Sequence, residues 1–313
     1  MNMRTLVAIP LLCVVGCTGT THLGETGTEY LHLSHVHRGG GAFESPDNTL
    51  KTLLWCWNHG SAAEVDCRIT RDGVPILLHD AQLKRTARGI SGALASAPVR
   101  ELLWDAIKDV DVGSYLDAKY ADHRIPKIED CFKAMQGHPK RVLFVDERDL
   151  APERLAKMAE DLGVMKQIYY TTGKYASVRK WSALAKGGQS LLWIGTWPVP
   201  KDHSAAEIRR FEDFFENVME EVRAGGFAGI SAVSLHCYYD PGAEEPFVPS
   251  AGYLRKLIDE FHAHGIPVCS IPFRGGDAEE VYVKLWEMGC DGFSTDYPSV
   301  MFKVIKDLKT GDR

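Results

Sequence analysis

Ala62-Ala63-Glu64-Val65-Asp66-Cys67-Arg68-Ile69 is the stretch on which the fold turns. It reads as a strand whose largely apolar length is interrupted by two carboxylates, and Glu64 and Asp66, being two residues apart, point to the same side. Short apolar runs recur on both sides of it, at residues 31–36, 142–146, 167–170, 191–194, 230–235, 267–271 and 292–295, which with residues 62–69 makes eight candidate strands. Helix signals fill the gaps. Ala151-Pro152-Glu153 opens an amphipathic run, with proline where a missing N–H does no harm. Phe261-His262-Ala263-His264-Gly265-Ile266-Pro267 closes another on glycine and proline. Strands alternating with helices imply a parallel sheet with right-handed crossovers. Eight repeats imply a closed (β/α)8 TIM-type barrel; the alternative, an open doubly wound sheet, usually has fewer strands. One connection breaks the rhythm. From about residue 80 to 125 the chain runs through Gly, Ser, Pro and charged residues without clear periodicity. That is too long for an idle loop and predicts a small insertion over the barrel mouth, where such folds build their sites.

The 313 residues suit one such barrel, which commonly needs about 250, plus that insertion. With 45% apolar and 25% charged residues, the composition supplies a large core and argues against disorder. A formal net charge of −6, from 36 basic and 42 acidic side chains without a basic stripe, argues against nucleic acid as a partner. Residues 1–16 read as a signal peptide, because Arg4 precedes an apolar run, 6–15, too short to span a bilayer. The run ends in Val14-Val15-Gly16-Cys17, which resembles a bacterial lipobox. The expected mature protein therefore begins at a lipidated Cys17 and is anchored to a membrane of the bacterial cell envelope; the alternative, an ordinary cleavage site and a free secreted enzyme, lacks a good A-x-A site nearby. Residues 17–29, rich in Thr and Gly, read as a tether, leaving residues 30–313 as the barrel domain. Cys56, Cys67, Cys131, Cys237, Cys269 and Cys290 include no C-x-x-C pair and sit mostly in apolar runs. Buried thiols are expected, with room for one bridge that spacing does not assign.

The chemistry gathers at strand ends. His37-Arg38-Gly39-Gly40-Gly41 follows the first strand and places a titratable ring and a phosphate-binding fork beside flexible glycines. By itself such a pair is more often a turn. Glu64 and Asp66 converge at the end of the second strand, where paired carboxylates call for an oxygen-liganded cation, Mg2+ or Ca2+. Standing alone they read first as a solvent face. Arg71-Asp72-Gly73-Val74 then makes a tight turn and returns an apolar segment ending in His79-Asp80, which supplies a second histidine.

Taken together, HRGGGAFESPDNT (37–49), AEVDCRITRDGVPILLHD (63–80), LKRTARG (83–89), DVGSYLDAKYADHRIPKIEDC (111–131) and GCDGFSTDYPS (289–299) resemble the glycerophosphodiester phosphodiesterase family. The likeness covers nearly the whole chain after residue 30. It implies a barrel, a divalent metal, and hydrolysis of a small-molecule glycerophosphodiester to sn-glycerol 3-phosphate and an alcohol. Residue by residue, it implies His37 and His79 as the acid–base pair, Arg38 as a phosphate contact, and Glu64 and Asp66 as two metal ligands. The family's third acidic ligand, with a Lys two residues later, falls within residues 142–148. Asp146 aligns with the ligand and Arg148 with the phosphate-side cation, because that register keeps both on one face; Glu147 would instead pair with Asp149. Asp is one methylene shorter than the family's Glu, and Arg is a planar fork where Lys is a point charge. The family's PENT is PDNT here, and its mouth Trp on the seventh strand is replaced by Phe273. Asp296 matches a family motif and is read either as structural or as backing for a residue of the site. His35, His236 and His264 are read as scaffold, His236 being the best of them as a pocket wall, while Trp193 and Trp197 line the mouth or fill core.

On this reading the metal, Arg38 and Arg148 hold the phosphate oxygens and neutralise charge that develops in the transition state. One histidine takes the nucleophile's proton and the other protonates the leaving oxygen. Arg38, beside His37, disfavours its protonated form and so makes His37 the base and His79 the acid. The substrate's own 2-hydroxyl, forming a cyclic phosphate, and water both remain open as nucleophiles. A lysophospholipase D-like activity is the rival enzyme, marked by an apolar groove beside the metal. A surface-binding lipoprotein with an inactive barrel is the rival outside catalysis, against which His37, Glu64, Asp66 and His79 all speak.

Overall fold

The computed structural model describes residues 33–310; the expected signal peptide, the lipidated Cys17 and the tether at 17–29 lie outside them. The strands are β1 (His35–Val36), β2 (Ala62–Ile69), β3 (Pro75–Leu77), β4 (Leu143–Asp146), β5 (Ile168–Thr172), β6 (Gln189–Ile194), β7 (Ala232–Tyr239), β8 (Phe247–Val248), β9 (Val268–Arg274) and β10 (Gly292–Thr295). The helices are α1 (Leu50–Asn58), α2 (Gly92–Ser96), α3 (Trp104–Ile107), α4 (Ile128–Met135), α5 (Pro152–Asp161), α6 (Tyr175–Leu184), α7 (Ala205–Ala224), α8 (Ala251–Ala263), α9 (Glu279–Glu287) and α10 (Pro298–Thr310).

Eight of these strands are parallel neighbours in the order β1-β2-β4-β5-β6-β7-β9-β10. The ring closes because β1 pairs on one side with β2, His35 opposite Ala62, and on the other with β10, His35 opposite Ser294. This is the (β/α)8 barrel and not an open doubly wound sheet. β3 and β8 are antiparallel additions, folded back on β2 and β7. The two-residue β8 has no counterpart among the sequence-derived strands. Residues 230–235 and 267–271 were expected to end sooner than β7 and β9 do, since their continuations, Cys237-Tyr238-Tyr239 and Pro272-Phe273-Arg274, lack the aliphatic density of a core strand.

Strand alternation sorts side chains into two cores. Leu143, Val145, Leu192, Val233 and Val268 face outward to the helices, while Phe144, Leu191, Ala232 and Cys269 join Leu33 in a separate cluster inside the ring. The helices present matching stripes. On α7, Phe211, Phe215, Met219 and Val222 recur at helical spacing, and Ser204 starts the helix by accepting from the Glu207 N–H. Fully burying each such side chain contributes roughly 1.5–3 kcal/mol. α8 ends as its sequence suggests. Gly265 takes the left-handed conformation at φ +69°, and the Ile266 N–H returns to the Phe261 carbonyl at 3.0 Å. All six cysteines among the described residues are buried free thiols.

Between β3 and α4, residues 80–125 carry α2 and α3 and pack their own small core. Leu83, Val99, Ile107, Val110 and Val112 bury against Ile76 and Leu78 of the hairpin.

Candidate active site

His37, Arg38, His79, Asp146 and Arg148 come from the C-terminal end of a strand or the segment just after it, as barrel geometry favours, while Glu64 and Asp66 lie within β2. His37 and Arg38 follow β1, Asp146 ends β4 with Arg148 two residues on, and His79 follows β3. Parallel register sets Asp66 of β2 directly opposite Asp146 of β4. His37, Arg38, Glu64, His79, Asp146 and Arg148 all line one cavity of about 190 Å3, with Asp66 buried beside it.

Glu64, Asp66 and Asp146 each offer an oxygen within 4.8 Å of the others, and all three are buried. Burial, then the Asp66 charge, pushes the Glu64 carboxyl up, and burial also raises Asp146. Asp66 moves the other way: burial opposes its ionisation, but His79 and Arg148 outweigh that and hold it below the usual range. Each carboxylate is anchored. Glu64 Oε2 accepts from the Arg38 N–H at 2.7 Å, and Asp146 Oδ1 accepts from the Trp193 indole at 3.2 Å. Asn48 holds Asp66 twice, donating its amide to Oδ2 at 3.0 Å and accepting the Asp66 N–H at 2.9 Å. Asn48 sits at φ +54°, which asparagine tolerates better than most residues. Such a donor set fits a hard divalent cation rather than a thiophilic one, because it is carboxylate throughout.

The imidazole of His37 donates from Nδ1 to Asp296 Oδ1 at 2.7 Å, and its Nε2 lies 4.0 Å from Glu64. Burial disfavours the imidazolium, yet the Asp296 carboxylate overrides it and His37 is pushed up to about 9. Arg38 does disfavour the imidazolium, as its place beside His37 suggests, but by less than Asp296 and Glu64 favour it. His79 is held by Asp80, 2.7 Å from its Nδ1, which leaves Nε2 free for chemistry. Arg68 fixes the His79 carbonyl with two donors at 2.8 and 3.1 Å.

With the geometry in view, the comparisons are specific. A profile described as the Glycerophosphoryl diester phosphodiesterase family matches residues 37–300. The chain belongs to this family. Among individual relatives of the family, Lysophospholipase D GDPD1 of Homo sapiens is 31% identical over 281 residues, covering 85% of this chain and 83% of that protein. Glycerophosphodiester phosphodiesterase 1 of Mus musculus is 28% identical over 115 residues, or 36% of this chain, and the match spans 33% of that protein's length. The structure of an Oleispira antarctica phosphodiesterase in complex with the product sn-glycerol-3-phosphate superposes with a TM-score of 0.59 at 18% identity, covering 87% of this chain and 96% of that one. That likeness bears on the fold.

Within this family member, Arg38 is under tension: it is non-glycine at φ +54°, and its buried Nε has no hydrogen-bond partner. An orphaned guanidinium donor is costly unless an anion satisfies it. The next residues allow the sharp turn. Gly41 sits at φ +68°, and a Cβ there would lie 2.4 Å from the Asp296 carbonyl oxygen.

Sequence reasoning missed a second ring of residues. Asp47 takes Arg38 at 3.2 Å, Arg85 at 2.7 Å and the Tyr115 hydroxyl at 2.6 Å. Arg85 also reaches Asp80 at 2.6 Å, so it connects the supports of Arg38 and His79. The signal was present in PDNT and LKRTARG, but spacing does not say that these motifs meet. Asp296 stands behind His37, one of the two supporting places its motif suggested. His236 is a pocket wall as expected, stacked on Trp193 with ring centres 5.3 Å apart, and burial lowers it to about 3. His35 also faces the cavity, held by the Leu33 carbonyl and stacked on Phe144, and burial lowers it to about 4. His264 stacks on Phe227 instead, away from the cavity lining. Phe273 stands 5.8 Å from His37 ring to ring, and Trp193, Trp197 and Ile271 extend the same apolar wall.

Proposed function

We propose that this chain is a metal-dependent phosphodiesterase that hydrolyses glycerophosphodiesters to sn-glycerol 3-phosphate and an alcohol. The single observation that carries the reading is the meeting, in one cavity, of two carboxylate-supported histidines, a buried three-carboxylate cluster and the unpaired Arg38 donor. Glu64, Asp66 and Asp146 would hold Mg2+ or Ca2+, which supplies positive charge against the phosphate oxygens. Arg38, which borders the cavity, donates from its guanidinium to a non-bridging oxygen. His37, kept as imidazolium by Asp296, donates its proton to the departing oxygen. His79, oriented by Asp80 through Nδ1, takes the nucleophile's proton on Nε2, whether that nucleophile is the glycerol 2-hydroxyl or water. Phe273, Trp193 and Trp197 exclude water from one side of the reacting centre.

Two specific observations favour a second reading. The apolar wall beside the carboxylates is what a lysophospholipase D-like activity would need, and the GDPD1 relative named above carries that activity in its name. One assay separates them. Glycerophosphocholine, glycerophosphoethanolamine and lysophosphatidylcholine are offered with Mg2+, with Ca2+ or with chelator, and released sn-glycerol 3-phosphate and lysophosphatidic acid are quantified. The first product supports the glycerophosphodiester reading, the second alone supports the other, and neither product under any condition refutes both.

A further inference from the structure

Two of the three carboxylates proposed to hold the metal are already held by an arginine. Arg148 donates from Nε to Asp66 Oδ1 at 2.9 Å, and its Nη2 lies 2.9 Å from the same oxygen and 3.0 Å from Asp146 Oδ2. The other hydrogen-bond donors to the three carboxylates are neutral, namely the Asn48 amide, the Trp193 indole and the Arg38 backbone N–H. Neutral donors leave a carboxylate able to bind a cation through its remaining lone pairs. A guanidinium at 3 Å brings a full positive charge to the oxygens a dication would use, and the two repel. Arginine suits this bridge because its charge is spread over a rigid fork that reaches two acceptors at once, which a lysine ammonium does not match. Arg148 is also free to leave, since its side chain is 31% exposed and borders the same cavity as Arg38.

We propose that Arg148 is a displaceable internal cation that competes with the divalent metal for Asp66 and Asp146 and releases them when a phosphate ester offers its guanidinium another anion. Metal and phosphate ligand then bind cooperatively, each strengthening the other by the same factor. The inference rests on the reading that these carboxylates hold a divalent cation. Exchanging a charge-assisted fork for a metal changes affinity by about 10- to 100-fold.

The test titrates Mn2+, a probe of oxygen-ligand sites, into chelator-treated full chain while free ion is followed by electron paramagnetic resonance, with and without sn-glycerol 3-phosphate. Wild-type affinity should rise about 10- to 100-fold when the phosphate ester is present. R148M should bind Mn2+ alone more tightly than wild type by a similar factor and gain less from the ester, while R148K, which keeps the charge without the fork, should fall between them. R148M binding Mn2+ no more tightly than wild type overturns the proposal, as does R148K indistinguishable from wild type. A wild-type crystal with Mn2+ and no phosphate ester gives a check independent of either variant's folding. Arg148 should have withdrawn beyond 4 Å from Asp146, and both contacts persisting near 3 Å beside the bound ion would overturn the proposal. Mn2+ failing to bind under every condition removes this inference together with the metal reading; binding that is indifferent to Arg148 removes this inference alone.

Discussion

Replacing Asp296 by Asn removes a charge from behind His37 while keeping a side chain of the same size at its Nδ1. Burial of His37 would by itself lower its pKa, and Asp296 is the group that chiefly reverses this, bringing the ring to about 9 from an ordinary 6.5. The difference between 9 and 6.5 corresponds to about 3 kcal/mol favouring the imidazolium, an order-of-magnitude figure. If the variant's ring returns to near 6.5, its protonated fraction at pH 8 falls from about nine-tenths to about one-thirtieth. The kcat/KM of Asp296→Asn should then fall progressively below wild type as pH rises from 5.5 to 8, by up to about 30-fold, and stay within about twofold of it at pH 5.5. Stability moves with it. Because the folded pKa is raised, the pair's contribution is fully present below pH 6.5 and lost as pH rises through about 9, so the wild type should lose its advantage over the variant across that window. Initial rates from pH 5.5 to 10, with urea unfolding at pH 6 and pH 9.5, measure both effects. An alkaline limb at the same pH in both proteins, or a uniform loss of rate at every pH, would refute the role given to Asp296.

Chelation should abolish turnover, and Mg2+ or Ca2+ should restore it better than Zn2+, because the cluster offers carboxylates only; full activity after exhaustive chelation would remove the metal from the reaction. Deleting either histidine should cost on the order of 100- to 10,000-fold. With a nitrophenyl leaving group, which departs without a proton, His37→Ala should recover much of its rate and His79→Ala should stay slow; the opposite pattern would exchange their roles. Phosphorus NMR during turnover tests the nucleophile: a transient cyclic glycerophosphate signals attack by the 2-hydroxyl, and its absence under single-turnover conditions favours water. Cys17→Ser should release the protein from membranes, and unchanged membrane fractionation would reject the lipid anchor.

What was legible in the sequence followed from periodicity and from motif order. Alternation of apolar runs with helix signals gives the number of barrel strands, since each run buries one face inside the ring and one under the helices. Glu64 and Asp66 could be assigned to one side from strand geometry alone, and the choice of Asp146 over Glu147 is matched by the register opposite Asp66. Glu147 turns to the Thr172 hydroxyl at 2.6 Å instead. Illegible were contacts made through space by residues far apart in the chain. Asp296 is 259 positions from His37, and local sequence shows only Arg38, so charge beside the histidine was judged from the wrong neighbour. Arg148 was placed on the correct face, but its preference for carboxylates depends on Asp66 and Asp146 being brought within reach of one guanidinium.

The segment at 80–125 adds no strand to the barrel, yet Arg85 and Tyr115 within it grip Asp47, and Arg85 also grips Asp80. Its apolar side chains are gathered into a cluster apart from the main core. Regions that bury little apolar surface open at lower free energy than the body they rest on. On the proposed reading, catalytic competence is tied to the integrity of a small annexe as well as to that of the barrel. On warming, activity should fade before the barrel melts, and amide exchange in the annexe, rather than the overall melting temperature, should set the working limit of the enzyme.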